Sequence, residues 1–239
     1  MTLAYDGRQT GAKCQLNLAT KNVNCYTIEV IYMSSEQTDC PIAKVDFEEA
    51  KTLADLGGLT QDLSAIMQTC TRLLDLLRED SKDHILLEAL WTSALVRYAR
   101  CFAEGKRYGL DESVFSGFNG DPVGTHRLYI NIRNKHIAHS VNPLEQMEVG
   151  LVLASKERHE QKIIGVATLS MRQITADADG VRQLGMLAKV ILGKVVELAK
   201  HYEQKVLEIG LTLPLDDLYG RARPHLAGTD VDSVGKPRK

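Results

Sequence analysis

DPVGTHRLYINIRNKHIAHSVNP, residues 121–143, is the stretch on which the reading of the fold turns. Asp121–Pro122 is a helix start: a carboxylate that can cap free N–H groups, then a ring that fixes φ at the first helical position. Apolar residues follow at helical spacing until Asn142–Pro143, where the helix is expected to end. Upstream the chain keeps the helical period; downstream the period changes to two.

Upstream, Phe47, Ala50, Leu53, Ala54 and Leu56 follow helical spacing, and Gly57–Gly58 is expected to stop that run. Thr60 is then the expected cap of a second helix, whose stripe of Leu63, Ile66, Met67, Cys70, Leu73, Leu74 and Leu77 reaches Arg78. A third helix is expected over about residues 83–104, with Ile85, Leu86, Ala89, Leu90, Ala94, Leu95, Tyr98 and Phe102 on an arc wide enough for more than one neighbour. Gly117, Gly120, Pro122 and Gly124 make residues 108–124 a loop with room for one short helical turn.

Downstream, Met147, Val149, Leu151 and Leu153 alternate, as Ile163 and Val166–Leu169 do more loosely, around a polar turn at 155–162. That predicts a β-hairpin. Thr175 is the expected start of a last long helix with Val181, Leu184, Leu187, Ala188, Ile191, Val195 and Leu198 on one side. The fold class is therefore mainly α, a helical bundle with a small hairpin before its last long helix, spanning 43–209. Residues 210–239, rich in Pro, Gly and charge, read as a tail that is disordered toward its end. Residues 1–40 are polar, with one strand-like run at Tyr26–Tyr32. They are either a small β element or an extension upstream of a true start at Met33, and the composition leans toward a poorly ordered extension.

A net charge of −2 gives no general attraction to nucleic acid or anionic membranes, so any phosphate binding must come from a local site. Five cysteines without metal-ligand spacing favour reduced thiols over a disulfide framework or a zinc site. No secretory signal and no transmembrane run is visible, so a cytoplasmic protein is expected.

Within the opening stretch, Arg133–Ser140 (RNKHIAHS) holds a permanent cation, an amide and two imidazoles. At about 100° per residue, Ile130, Asn134, Ile137 and Val141 fall within roughly a 60° arc, the side expected to pack on the bundle. Tyr129, Ile132, Arg133, His136, His139 and Ser140 lie opposite. Arg133 and His139 are about 120° apart on a straight helix. A shared site therefore needs inward-curling side chains, a helix irregularity or a second copy of the helix. The chemistry that suits the set is RNA transesterification: one imidazole deprotonates a 2′-hydroxyl, an imidazolium protonates the leaving 5′-oxygen, and Arg stabilises charge on the phosphoryl oxygens. The plain reading is a solvated helix face. Asn134 either ties its helix to a neighbouring backbone or acts at the phosphate.

RNKHIAHS resembles the signature of the HEPN superfamily (higher eukaryotes and prokaryotes nucleotide-binding domains): Arg, then a polar residue that is frequently Asn or Asp, then His after four to six positions. Arg133, Asn134 and His139 match it, and Leu90–Phe102 is similar in character to the long helix that precedes such motifs. The resemblance covers roughly residues 47–207, and only the motif is specific. It implies a helical bundle, a homodimer whose motif helices meet at a cleft, and frequently a metal-independent ribonuclease acting as a toxin, with an antitoxin or other regulatory protein, or in antiphage defence. Catalytic roles then fall to Arg133, Asn134 and His139, with His136 supporting or merely filling the face, and no cofactor. Since some members keep the fold without catalysis, the alternative is a non-catalytic helical dimer binding a nucleotide, RNA or protein partner.

Other constellations are weaker. His136 and His139 with Glu145 or Glu148 could face a metal, but Lys135 stands where such motifs place a carboxylate base. Cys70 and Cys101 fall on apolar stripes and read as core, and Trp91 as a packing anchor. Arg97, Arg100, Lys106 and Arg107 form a basic group, ordinarily a solvated face but able to grip an RNA backbone.

Overall fold

The structure, a computed structural model, describes residues 13–17, 27–31, 41–103, 105, 107–137, 145–154 and 161–223; at 13–17, 27–31, His136 and Arg223 it describes backbone alone. The chain divides into two units, Asp46–Leu211 and a smaller one made of residues 1–45 and 212–239.

The larger unit is helical. α1 (Glu48–Arg78) runs unbroken through Gly57–Gly58, against the stop expected there. Leu56, Leu59, Leu63, Ile66, Cys70 and Leu73 form one buried stripe at alternating spacings of three and four. Burial along that stripe outweighs the cost of two glycines, about 1 kcal/mol each. Thr60, the expected cap, lies inside the helix and donates its hydroxyl to Leu56 O at 3.0 Å. α2 (His84–Cys101) starts where the sequence places it, with the Asp83 carboxylate accepting from Leu86 N at 2.9 Å. A 3₁₀ turn follows at Glu112–Phe115, the short turn expected in the loop.

α3 (Pro122–Ile132) has the expected start: Asp121 Oδ1 accepts from Gly124 N at 2.8 Å and Pro122 occupies the first turn. Its end is irregular, since Arg133–Ile137 forms a π turn. The hairpin is present as strands β4 (Glu145–Leu153) and β5 (Ile163–Arg172), antiparallel from Glu145↔Arg172 to Leu153↔Ile163 with one irregularity at Val152/Leu153. α4 (Ala178–Gly210) is capped by Asp177, which accepts from Gly180 N at 2.8 Å. The expected start at Thr175 is thus two residues early, and its buried Oγ1 has no partner among the described residues.

α1 packs most extensively on α4 and next on α2, which in turn meets α3 and the π turn. The two long helices approach closely at Gly185, where an added Cβ would lie 3.2 Å from Cys70 Cβ. Cys70 and Cys101 are buried free thiols, as the stripes predict, and burial pushes both up to about 12. Trp91 is a packing anchor, edge-on to Tyr129 at 6.1 Å.

In the smaller unit, β1 (Lys13–Asn17) pairs antiparallel with β2 (Thr27–Ile31), the run read as strand-like. β3 (Ile42–Ala43) pairs with β6 (Ala222–Arg223). The segment read as a tail carries α5 (Leu215–Arg221): Asp216 and Asp217 favour its first turn and Arg221 its last. Among the described residues, no helix is long and apolar enough to cross a membrane.

Candidate functional site

α3 and the π turn position Arg133–Ile137 of the motif, and they do so one residue out of step with the ideal helical wheel. The face turned to the bundle is His126, Tyr129 and Ile130, with Arg133 half-buried at its end. Tyr129, expected on the outer face, is only 2% exposed; its hydroxyl donates to Gly180 O in α4 at 2.7 Å. Asn134, expected on the packed face, is exposed. The reason is a contest for one buried position: a tyrosine ring brings far more apolar area than a carboxamide, and its hydroxyl finds a carbonyl.

The π turn completes the shift. Ile132 and Ile137, five residues apart, both pack against the core. On a regular α-helix they would point about 140° apart, whereas an i→i+5 turn stacks them. Anchoring both isoleucines rotates Asn134 and Lys135 outward. Arg133 Nη1 donates to Asn134 Oδ1 at 3.0 Å, so the amide holds the guanidinium at the rim of the bundle. A helix irregularity is one of the three arrangements that a shared Arg–His site could use. His139 and the side chain of His136 lie outside the described residues, and with them any metal reading of the pair.

Beside the turn is a small cleft of about 180 Å³ lined by Glu88, Trp91, Thr92, Ile137, Arg172 and Ile174. Arg172 spans it to pair with Glu88.

Two polar groups that sequence reasoning passed over are built into the bundle. Asp62, 2% exposed, sits within the apolar stripe of α1. Arg100 Nη2 reaches both of its carboxylate oxygens at 2.8 Å, Arg97 Nη1 reaches Oδ1 at 3.0 Å, and Arg107 Nη1 reaches Oδ2 at 3.3 Å. The basic group read as a solvated face therefore converges on one buried acid, while its guanidiniums stay partly open to solvent. Lys106 lies outside the described residues. An Asp at a stripe position between Leu59 and Ile66 was the available signal.

The second is His126, on the core face of α3. Tyr98 Oη and His126 Nδ1 share a hydrogen bond of 3.0 Å, and Phe102 and Phe115 flank the ring at 4.3 and 5.1 Å. Burial lowers the imidazole pKa from its ordinary value, Glu112 opposes that shift, and Arg127 adds to it. Burial also pushes the Tyr98 phenol up, so both groups are neutral near pH 7. They form a structural pair.

Among the described residues, no three His, Cys, Asp or Glu side chains are grouped so as to hold a metal ion. Compared with protein-family models, with curated proteins and with solved structures, the chain gives no match.

Proposed function

We propose that this chain is a metal-independent endoribonuclease of HEPN type, working as a homodimer through its motif helix and belonging to the toxin or antiphage-defence kind. The observation that carries the reading is the placement of Arg133. Among the described residues it is the motif cation on the packed face, half-buried at the end of α3 and hydrogen-bonded to Asn134 on an irregular turn. A preorganised guanidinium is suited to the equatorial oxygens of a phosphodiester, where charge grows during attack.

In the reaction, His139 takes the proton of the 2′-hydroxyl as that oxygen bonds to phosphorus. The P–O5′ bond breaks, and an imidazolium gives its proton to the departing 5′-oxygen. Atoms and charge balance with a 2′,3′-cyclic phosphate and a 5′-hydroxyl as products. Arg133 stabilises the pentacoordinate state, and Asn134 keeps it aimed.

The experiment is end-group analysis of RNA incubated with the protein in EDTA. Cyclic phosphate should form with the wild type. Arg133→Ala and His139→Ala should each lower the rate by 10²-fold or more, in the range of about 10²–10⁴ for such groups, with unchanged circular dichroism. Undiminished cleavage by both variants removes the assigned site. RNA affinity without turnover would leave the non-catalytic alternative in its place.

A further inference from the structure

The hairpin β4–β5 is a two-stranded ribbon nine to ten residues long whose apolar side chains stand in water. In an antiparallel pair, directly opposed residues share a face. One face collects Met147, Val149, Leu151 and Leu153 from β4 and Val166 and Ile163 from β5, all between 60% and 74% exposed. Its polar positions are few: Thr168 and Ser170, and the Glu145–Arg172 pair at the base. Away from that base, the ribbon packs extensively on no other described element.

Such a ribbon is poorly suited to stand alone. An isolated two-stranded hairpin is marginal in water even without an exposed apolar face. With on the order of 100 Å² left on each of six side chains, this face offers roughly 600 Å², at the upper end of the largest patch on an ordinary monomer. Two such faces together would remove roughly 1,200 Å² from water, which reaches the threshold of a specific interface.

The pattern also fits its own image. An interface on a two-fold axis needs a patch complementary to itself. The ladder is centred on Val149↔Thr168, a small pair flanked on one side by Met147 and on the other by Leu151 and Val166. A two-fold through that centre, lying between the faces and perpendicular to the strands, sets Met147 of each ribbon against Leu151 and Val166 of the other, while the small pairs meet at the axis. The face carries no cationic excess to draw a phosphate backbone or an anionic lipid surface, since Arg172 is matched by Glu88 and Glu145.

We infer that the Met147–Leu153 face of the hairpin is a homodimer interface, covered by the same face of a second copy of this chain. This goes beyond the ribonuclease reading, which asks for a second copy at the motif helix and is silent on the hairpin.

The test is the solution mass of the full chain by sedimentation, for the wild type and for Val149→Asp and Leu151→Asp. Both sites are exposed, so the variants should fold, as circular dichroism and the thermal midpoint will check. The wild type should dimerise at micromolar concentration, and each variant should raise the dissociation constant by roughly 100-fold or more. Met186→Asp, at an exposed apolar site on α4, should leave the dimer intact. A monomeric wild type, hairpin variants that stay dimeric, or a Met186→Asp that dissociates equally would each overturn the inference. RNA cleavage by the same samples separates the two readings: hairpin variants that are monomeric yet cleave leave this interface standing and remove the need for a two-copy active site.

Discussion

Asp62 is a buried polar residue whose loss should be felt in stability. Its carboxylate is buried, and three guanidiniums from α2 and the loop after it close on it. Removing one partner of a buried ion pair costs about 3–5 kcal/mol, and the arginines' partial exposure lets water offset some of that. Asp62→Ala should therefore lower stability by about 2–3 kcal/mol in urea unfolding; a loss below about 0.5 kcal/mol would mean the cluster is merely a solvated group. His126 makes a prediction in pH. Its folded pKa lies below the ordinary value of about 6.5 because burial disfavours the imidazolium. The unfolded chain then binds the proton more readily. Stability is fully present above about pH 6.5 and is lost as pH falls through the lower folded value. His126→Gln should flatten the fall in thermal midpoint between about pH 7 and 5, and parallel curves for the two proteins would refute the assignment. At this scale the sequence was least legible. Periodicity ranks positions by angle alone, so it placed Asn134 inside and Tyr129 outside; packing decides by area and by which polar atom finds a partner.

Among the elements, α1 and the π turn depart from the period-based reading for opposite reasons. Two adjacent glycines read as a stop because no local term favours helix there. What carries α1 through them is the buried stripe against α4 and α2, a long-range gain invisible to spacing within one segment. The glycines are not equivalent. An added Cβ meets nothing within 4 Å at Gly57, but at Gly58 it lies 2.6 Å from Arg107 Nη2. Gly57→Ala should stabilise by about 0.5–1 kcal/mol through helix propensity. Gly58→Ala should stabilise less or destabilise, because it displaces Arg107 from Asp62 and from Asp55 O. In an Arg107→Ala background the two substitutions should become alike, and a persistent difference there would show that Arg107 is not the cause. The cap at Asp121, the start of α2 near residue 83, the hairpin and the last long helix were all legible, because capping chemistry and a change of period are local signals. The π turn was not, since nothing in a helical wheel reports that isoleucines five apart will both be claimed by the core.

At the level of the whole molecule, residues 46–211 form one compact unit, and Arg133–Ile137, the described part of the motif, forms the irregular end of α3 within it. The mainly helical class with a hairpin before the last long helix was readable from the order of periods alone. What meets the hairpin's apolar side was not, because an alternating strand reads the same whether that side meets a helix or a second molecule. One tie described above bears on how such a chain can change over time. Tyr129 Oη on Gly180 O joins the two ends of a fifty-one-residue excursion that holds the π turn and the hairpin. Because that excursion leaves and re-enters the bundle at neighbouring points, its length is uncoupled from the helices' register. A descendant could trim, extend or replace the hairpin within it, acquiring new associates while keeping the turn that Ile132 and Ile137 anchor and the same scaffold.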